Sequence, residues 1–563
     1  MPCNCANSYP QSRVAASTLI SQTTEMTTQD TLSYAAGAST VPLLGQAIDV
    51  NFERARKAFP GREALVDVPS SRRWTYDELG ADIDQFAAGL IVRGIHKGDR
   101  VGIWAPNCAE WVITQYATAR IGAILVNINP AYRAPELNFV LRNSDMKLLV
   151  SAVSFRTSDY KRMLEEIDFH ENVFIGEDSW DSVMRDGKEA GKTAVLERSQ
   201  QLSFDDPINI QYTSGTTGFP KGATLTHHNV LNNGYFVGEG AHYTEADRVC
   251  LPVPLYHCFG MVMGILGAHS HGACVILPAA GFDAQTTLQA VQDEKCTSLY
   301  GVPSMFIAEL GLPNFRTFDL STLRTGIMAG SPCPVEVMNR VVNEMNMSEV
   351  AICYGMTETS PVSTMTHSGD SLAQRTQTVG QVMPHVEVKI VDPETQLIVP
   401  RGEPGEFCTR GYSVMLGYWN DREKTEEAID SARWMHTGDL ASMDEDGYVQ
   451  IVGRIKDVVI RGGENIYPRE IEEFLYSHPD IADVQVIGVP DAHYGEELMA
   501  WIVLRQGAMA LDQGSLRAFC KGKLAGYKIP RYVHLVDSFP MTITGKIRKV
   551  EMRESAISIL SGS

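Results

Sequence analysis

The strongest constraint on the fold is a repeated alternation of strand-like and helix-like segments along the chain. From Trp74, the stretch WTYDELGADIDQFAAGLIVRG has apolar residues at helical spacing and stops at Gly94, as a helix with a glycine C-cap would. The following DRVGIWAP has the apolar content of a buried strand, and the pair recurs in NCAEWVITQYATARIGAILVNINP and KLLVSA. Strands that alternate with helices of about 10 to 15 residues predict βαβ units and a mostly parallel sheet.

Two changes of pattern divide the chain. Between Val379 and Val452 the strands become short and are separated by turn residues, which predicts a small β-rich subdomain. After GRIKD a new β/α pattern begins. We therefore expect an α/β protein in which residues 41–455 form a large N-terminal domain of two β/α subdomains plus the β-rich one. A small mobile α+β domain, 456–563, would follow, and residues 1–40 would be a disordered tail rich in Ser, Thr, Ala and Gln.

Composition excludes several classes of protein. The formal charge of −20 repels phosphate backbones at long range, so nucleic acid is an unexpected partner. No uncharged apolar run is long enough to span a bilayer. The 11 cysteines contain no C-x-x-C pair, which argues against a disulfide scaffold and for a reducing compartment, and we expect a cytoplasmic monomer or homodimer.

The segment YTSGTTGFPKG, Tyr212 to Gly222, has the chemistry of a polyphosphate-binding loop. Its hydroxyls can donate hydrogen bonds, its glycines let the backbone approach a ligand, and Lys221 adds a positive charge. The spacing differs from the usual phosphate loop G-x-x-x-x-G-K-[ST], so a different phosphate architecture is required. A glycine-rich surface turn is the alternative interpretation for an isolated GTTG.

The whole segment resembles the signature loop of the adenylate-forming superfamily, which contains acyl-CoA synthetases, luciferases and nonribosomal adenylation domains. Further motifs of that family follow in order as GSPCP, YGMTET, HTGDL, GRIKD and PMTITGKIRK. The resemblance implies that the loop wraps the β- and γ-phosphates of ATP. The implied nucleotide-binding residues are Thr213, Ser214, Gly215, Thr216, Thr217, Gly218, Lys221, Gly330, Ser331, Tyr354, Gly355, Thr357, Asp439 and Arg454.

The resemblance also assigns roles within this set. Tyr354 would lie along the adenine, and Thr357 would touch the α-phosphate. Asp439 would bind the ribose, with Arg454 as a second contact to the ribose or to a phosphate. Glu358 would bind Mg²⁺, for which a single carboxylate beside phosphate oxygens is chemically sufficient. The implied catalytic residues are Lys546, Thr213, Glu358 and His257, with Lys546 bridging the substrate carboxylate and the α-phosphate.

A second half-reaction is implied by the motifs around the domain boundary. Family members rotate the small C-terminal domain about a hinge, here Lys456, after the acyl-adenylate has formed. Rotation would bring RGGENIYP to the site, where Gly462 and Gly463 would let the pantetheine of coenzyme A pass close to the backbone. A paired glycine in a plain hairpin turn is the alternative interpretation.

The expected acyl pocket is apolar and rich in methionine. Acetyl-specific relatives have tryptophan where this protein has Gly355, so the glycine is interpreted as leaving room for a longer acyl chain. The alternative interpretation is that the expected pocket residues are ordinary core residues. His269 and His271 are interpreted as packing residues. The expected pocket lining is His257, Phe259, Met261, Met263, Gly301, Val302, Met328, Gly330 and Gly355.

The resemblance is greatest to medium- to long-chain fatty-acyl-CoA synthetases, which use ATP, Mg²⁺ and coenzyme A. The chain ends soon after Lys546, so we expect coenzyme A and not a fused carrier domain as the acceptor. A stand-alone ligase that loads an acyl-carrier protein or activates an aryl acid remains the main alternative. A catalytically silent nucleotide- or acyl-binding protein on the same fold is disfavoured, because the charged residues that it would be expected to lose are all present, namely Lys221, Glu358, Asp439, Arg454 and Lys546. A luciferase-like oxygenase is compatible with the motifs.

Overall fold

The computed structural model describes residues 31–213, 220–331, 333–462, 464–508, 511–541 and 547–561. Its strands are β1 (Tyr34–Ala36), β2 (Glu63–Asp67), β3 (Arg72–Thr75), β4 (Arg100–Trp104), β5 (Ile124–Asn127), β6 (Met146–Ser151), β7 (Ser154–Phe155), β8 (Ser158–Asp159), β9 (Asn172–Phe174), β10 (Pro207–Thr213), β11 (Lys221–Thr226), β12 (Arg248–Cys250), β13 (Cys274–Leu277), β14 (Ser298–Gly301), β15 (Thr325–Ala329), β16 (Glu349–Gly355), β17 (Val362–Met365), β18 (Gln381–Val382), β19 (Val386–Val391), β20 (Gly405–Gly411), β21 (Gly417–Tyr418), β22 (Met435–Met443), β23 (Val449–Arg454), β24 (Val459–Arg461), β25 (Glu464–Ile466), β26 (Ile481–Asp491), β27 (Gly495–Leu504) and β28 (Tyr532–Leu535).

The α-helices are α1 (Ile48–Ala58), α2 (Tyr76–Val92), α3 (Ala109–Ile121), α4 (Ala134–Asn143), α5 (Tyr160–Glu166), α6 (Asp178–Ala190), α7 (Thr193–Ser199), α8 (His227–Gly240), α9 (Gly267–His269), α10 (Ala284–Asp293), α11 (Pro303–Leu310), α12 (Val335–Glu344), α13 (Leu372–Gln377), α14 (Arg422–Ala428), α15 (Pro468–Leu475), α16 (Gln513–Cys520) and α17 (Lys549–Ser561). A π-helix covers Phe259–Leu266, and short 3₁₀ helices cover Phe315–Thr317, Thr357–Thr359, Ile455–Asp457 and Gly526–Lys528.

Helix α2 shows how local sequence sets an element. The Thr75 hydroxyl accepts a hydrogen bond from the Glu78 N–H at 3.2 Å, and the Glu78 carboxylate accepts from the Thr75 N–H at 2.8 Å. This reciprocal capping box satisfies two N–H groups that the first turn leaves without partners. At the other end Gly94 has a φ of +80°, which a side chain would strain. The helix predicted after Trp74 is therefore confirmed.

Two large sheets form the β/α subdomains of the N-terminal region. One has the spatial order β21-β11-β10-β5-β4-β6-β9, and the other has the order β18-β17-β16-β15-β14-β12-β13-β2-β3. Strands pair in parallel through the centre of each sheet. Helix α3 is buried at every residue, and apolar side chains of both sheets, α2, α3 and α8 belong to one core. The predicted α/β class is confirmed.

The β-rich subdomain is an antiparallel sheet in the order β1-β19-β20-β22-β23. The expected disordered tail of residues 1–40 is wrong at its C-terminal end, because β1 pairs with β19 and Tyr34 lies opposite Lys389. The Tyr34 hydroxyl also donates to Glu387 Oε2 at 2.7 Å. The physical reason is that β1 covers strand β19, whose edge would otherwise be exposed. Residues 1–30 lie outside the described residues.

A different sheet begins immediately after β23. Strands β24 to β28 form the C-terminal sheet, which packs with α15 and α16 around its own apolar core, including Ile466, Ile471, Val484 and Leu498. The 3₁₀ helix Ile455–Asp457 lies between β23, the last strand of the β-rich sheet, and β24, the first strand of the C-terminal sheet. Among the described residues, no helix combines the length and apolar character needed to cross a membrane.

Candidate active site

The predicted nucleotide residues gather where two strands end. Thr213 is the last residue of β10, Tyr354 and Gly355 end β16, and Thr357 and Glu358 belong to the 3₁₀ helix that follows. Ligands of open α/β sheets bind outside the carboxyl ends of the strands, where loops can converge on them. The site therefore has the place in the fold that this rule predicts.

Glu358 is the centre of the first of two polar clusters. Its Oε1 accepts a hydrogen bond from the Tyr418 hydroxyl at 2.8 Å and lies 3.4 Å from the Thr213 hydroxyl. The Lys221 ammonium lies 4.9 Å from the centroid of the Tyr418 ring, a cation–π distance. Burial, with the nearby Glu358 carboxylate second, raises the pKa of Tyr418, so its hydroxyl stays a donor. Sequence reasoning missed Tyr418, which reaches the cluster through the pairing of β21 with β11.

The oxygen atoms of this cluster are suitable ligands for Mg²⁺. Magnesium prefers hard oxygen ligands and retains several waters, so one carboxylate beside substrate phosphates is sufficient. Glu358 is only 5% exposed, and within the described part of the chain its Oε2 has no hydrogen-bond partner. That oxygen is the atom that would ligate the ion.

Asp439 is the centre of the second polar cluster. Its Oδ2 accepts from the Tyr354 hydroxyl at 2.7 Å, and its Oδ1 accepts from Arg454 Nε at 2.9 Å. Asp439 on β22 lies opposite Arg454 on β23, so the ladder itself brings them together. The Arg454 side chain is 64% exposed, so the guanidinium remains open to a ligand. The structure thus brings Tyr354 to Asp439, 85 positions further along the chain, and Arg454 to the same carboxylate.

The remaining predicted nucleotide residues that are described follow β15. Gly330 and Ser331 are both exposed, directly after the strand. Gly330 has a φ of +93°, and a Cβ there would lie 3.2 Å from Val302 Cγ1. A glycine is therefore required for conformational reasons at this turn.

His257 directly precedes Cys258, and Cys258 contacts Thr357. The His257 Nδ1 accepts from the Phe259 N–H at 3.1 Å, so the imidazole caps the start of the π-helix. The buried Cys258 Sγ is 3.7 Å from His257 Nδ1 and 3.8 Å from the Thr357 hydroxyl. The predicted gate residue is thus placed at the junction between the 3₁₀ helix and the apolar wall.

Four of the expected acyl-pocket residues share one buried cluster, namely Phe259, Met261, Met263 and Val302. The rings of Phe259 and Tyr300 are stacked at 5.5 Å between centroids. The π-helix presents three of these side chains, and such helices occur frequently at functional sites. This apolar wall adjoins His257.

Met261 is held by polar groups that sequence reasoning missed. Its sulfur lies 3.1 Å from Asn127 Nδ2 and 3.2 Å from Gln211 Nε2. Both amides come from the seven-stranded sheet, and Asn127 also donates to the Tyr256 carbonyl at 2.8 Å. The thioether is therefore a fixed part of the wall and not a freely rotating one.

The prediction that Met328 lines this pocket is wrong. Met328 belongs to a separate buried cluster with Cys250, Leu299 and Phe306. Its strand neighbours Ile327 and Ala329 belong to the cluster that contains Met261. Successive side chains of a strand point to opposite faces, so Met328 faces away from the pocket.

Glycines at two expected pocket positions have packing roles that the sequence does not reveal. At Gly301 a Cβ would lie 2.9 Å from the Phe306 ring, on the same side as Met328. At Gly355 a Cβ would lie only 1.8 Å from the Pro361 carbonyl oxygen. The interpretation that Gly355 simply vacates space for an acyl chain is therefore wrong as it stands, because the backbone of the neighbouring segment takes the position of a side chain.

Several predicted residues lie outside the described residues, namely Ser214, Gly215, Thr216, Thr217, Gly218, Gly463 and Lys546. The predicted hinge residue Lys456 lies in the 3₁₀ helix Ile455–Asp457. Gly462 has a φ of +61°, and its N–H donates to the Tyr494 carbonyl at 2.8 Å.

His269 and His271 are packing residues, as expected. His269 is buried between the Tyr116 hydroxyl, 2.9 Å from Nδ1, and the Ala64 carbonyl, 2.9 Å from Nε2. Burial lowers the pKa of His269 to about 4, so this imidazole is neutral. His271 bonds the Gly267 carbonyl and Glu239.

Comparison with known proteins places this site in a family. The family model for AMP-binding enzymes matches residues 52–419, and the model for their C-terminal domain matches residues 470–546. A putative acyl-CoA synthetase from Bacillus subtilis is 48% identical over 92% of this chain and 98% of the relative. A mitochondrial medium-chain acyl-CoA ligase from Danio rerio is 46% identical over 93% of this chain and 90% of the relative.

A solved structure shows the same architecture. An anthranilate CoA ligase in complex with anthranoyl-AMP superposes with a TM-score of 0.83 at 27% identity, covering 92% of this chain and 99% of that one. The resemblance inferred from the motifs is confirmed, as are the expected substrates and cofactor, ATP, coenzyme A and Mg²⁺. The chain therefore belongs to the AMP-binding enzyme family, as an AMP-forming acid–CoA ligase.

Proposed function

We propose that this ligase activates a medium- to long-chain fatty acid as an acyl-adenylate and transfers the acyl group to coenzyme A. The observation that carries the proposal is a contact between the polar site and the apolar wall. Thr357, which shares a 3₁₀ helix with Glu358, lies 3.8 Å from Cys258 Sγ, and Cys258 directly precedes the π-helix that carries the buried Phe259, Met261 and Met263. A polar region suited to a nucleotide thus meets an apolar region suited to an alkyl chain, which gains about 0.8 kcal/mol per buried CH₂.

In the first half-reaction two anions must meet, so positioning and charge neutralisation matter more than acid–base chemistry. The Asp439 carboxylate would accept hydrogen bonds from the ribose hydroxyls, with Arg454 beside it. Thr213 and Lys221 would contact the phosphates at the start and end of the loop, and Tyr354 would lie along the adenine. The substrate carboxylate oxygen attacks the α-phosphorus, the bond to the bridging oxygen breaks, and pyrophosphate leaves.

Mg²⁺ at Glu358 would neutralise charge on the phosphates. The hydroxyls of Tyr418 and Thr213 hold the Glu358 carboxylate in a single orientation. Lys546 would add positive charge where the substrate carboxylate meets the α-phosphate. Preorganised groups of this kind contribute about 2.7 to 4 kcal/mol each to lowering the barrier.

In the second half-reaction the thiol of coenzyme A attacks the acyl carbonyl carbon and AMP leaves with the electron pair of the broken C–O bond. We propose that the C-terminal domain rotates near Lys456 between the two steps, so that Gly462 and Gly463 approach the site. The separate sheet and core of that domain support this, because it can move without disturbing the N-terminal core. His257 would separate the acyl wall from the thiol channel.

The proposed length of the acyl chain rests on the apolar residues of the wall and on the names of the relatives. The curated relatives include medium-chain ligases, which favours alkyl acids. An aryl acid is the second candidate, because the anthranilate CoA ligase shares the fold at a TM-score of 0.83. An acyl-carrier protein is the alternative acceptor. Among the described cysteines no disulfide is formed. A cytoplasmic location and a monomer or homodimer stay part of the proposal.

A panel of acids tests the proposal. Pyrophosphate release would be measured with ATP, Mg²⁺ and carboxylic acids from C2 to C18, benzoate and anthranilate, each with coenzyme A, with holo-carrier protein or with neither. We expect the highest kcat/KM for alkyl acids of medium to long chain and thioester formation only with coenzyme A. A preference for benzoate or anthranilate would replace the fatty-acid assignment with the aryl one.

A further inference from the structure

The carboxylate of Glu406 holds both ends of the short segment that leads to Asp439. Glu406 Oε2 accepts a hydrogen bond from His436 Nδ1 at 3.0 Å, and Oε1 accepts from the Gly438 N–H at 3.1 Å. Glu406 is 8% exposed, and it lies on β20 beside the segment on β22. One buried side chain thus fixes two points that are two residues apart.

The segment needs such support because the regular ladder is interrupted there. Glu406 pairs with Leu440 and Cys408 pairs with His436, so the register shifts between these pairs. Residues 437–439 therefore have no register partner on β20, although Asp439 still pairs with Arg454 on β23. Gly438 adopts a φ of +71° within this bulge. The Thr437 hydroxyl donates to the Phe407 carbonyl at 2.7 Å, and the Asp439 N–H donates to that hydroxyl at 3.2 Å. Bulges of this kind re-aim a side chain, and here the re-aimed side chain is Asp439.

The charges around His436 favour the bonded arrangement. Asp430 Oδ2 lies 3.7 Å from His436 Nε2, and Lys389 is a positive charge near the same imidazole. The hydrogen bond to Glu406 raises the pKa of His436, so the imidazole keeps the proton that it donates. Cys408 Sγ also lies within 4.8 Å of a carboxylate oxygen of Glu406 and of a ring nitrogen of His436, so these three atoms could in principle ligate a metal ion. Both Glu406 oxygens are already bonded by N–H groups, which indicates a hydrogen-bonded clamp and not a cation site.

We propose that Glu406 is a positioning residue of the nucleotide site, which acts through the His436–Gly438 segment to aim the Asp439 carboxylate at the ribose hydroxyls. The inference rests on the proposed contact between Asp439 and the ribose. It adds a residue on a neighbouring strand that touches neither the nucleotide nor the acyl group.

The test is a cycle of variants and nucleotides, measured by isothermal titration calorimetry on the full chain. ATP is compared with 2′,3′-dideoxy-ATP, which lacks the ribose hydroxyls. We expect Glu406→Ala to weaken ATP binding by about tenfold and to leave dideoxy-ATP binding within about twofold of wild type. Glu406→Gln, which keeps an oxygen acceptor for the Gly438 N–H, should recover part of the loss. Glu387→Gln is the matched control, because that carboxylate pairs with Arg410 on the same sheet without touching the segment.

Equal weakening for both nucleotides would overturn the proposal, since it would reveal general destabilisation of the sheet. Unchanged ATP binding in Glu406→Ala would also overturn the proposal. If the alanine variant does not fold, unchanged ATP binding in Glu406→Gln would overturn the proposal instead. Binding is measured without turnover, so the proposed fatty-acid activity is judged separately by pyrophosphate release. A wild-type chain that shows the binding cycle but releases no pyrophosphate would refute the activity and leave the positioning role intact.

Discussion

Substituting Gly355 with alanine tests whether this glycine serves the acyl pocket or the backbone. A Cβ at Gly355 would lie 1.8 Å from the Pro361 carbonyl oxygen, whereas ordinary contacts begin at 3.4 Å. The two segments are also joined by a hydrogen bond from the Met356 N–H to that same oxygen at 2.9 Å. To accept the methyl group the segments must separate by about 1.6 Å, which breaks this bond.

The expected cost follows from these two terms. Overpacking costs about 1 to 3 kcal/mol, and a lost hydrogen bond about 0.5 to 1.5 kcal/mol. We therefore expect Gly355→Ala to lower the free energy of unfolding of the N-terminal domain by about 2 to 4 kcal/mol. The Glu358 loop would also be displaced, because it directly follows β16.

The assay is urea unfolding followed by tryptophan fluorescence, together with the panel of acids. Gly369→Ala is the matched control, since no atom of the described part of the chain lies within 4 Å of a Cβ there. If Gly355→Ala and Gly355→Trp keep wild-type stability and shift the preferred acid towards acetate, the backbone argument is refuted and the glycine vacates acyl space after all.

Three further outcomes are expected. Tyr418→Phe removes the hydroxyl that donates a hydrogen bond to the Glu358 carboxylate, so kcat/KM for adenylation should fall by about 10- to 100-fold. Tyr412→Phe is the control. An unchanged kcat/KM would show that Tyr418 does not belong to the site. Glu309→Met should stabilise the protein by about 1 to 3 kcal/mol at pH 7 to 8, because both carboxylate oxygens are buried and have no hydrogen-bond partner among the described residues. Burial raises the pKa of Glu309 above its value of 4.5, so the native state holds a proton that the unfolded state releases, and the gain should shrink as the pH falls towards 4.5; a pH-independent gain would contradict this. Lys546→Ala should abolish adenylate formation but retain thioester formation from supplied acyl-AMP, while Gly463→Leu should do the reverse; equal loss of both steps in both variants would refute the division of labour.

Much of the fold could be predicted because its causes are local. The βαβ alternation and the capping box at Thr75 depend on neighbours a few positions apart. The tail was predicted wrongly beyond residue 30, because the polar composition of that segment says nothing about the strand edge that Tyr34 covers. Nor could composition indicate that Asn127 and Gln211 fix the sulfur of Met261.

The sequence by itself determined the chemistry of the contiguous motifs, since hydroxyls, glycines and charges within one loop act together wherever that loop lies. Only the tertiary structure decided which distant side chains share a face. It turned Met328 away from Met261, brought Tyr418 to Glu358, and set Glu406 beneath the segment that carries Asp439. The physical reason is that hydrogen bonds and van der Waals contacts act over a few ångströms, so their partners depend on strand register and packing, which no local pattern encodes.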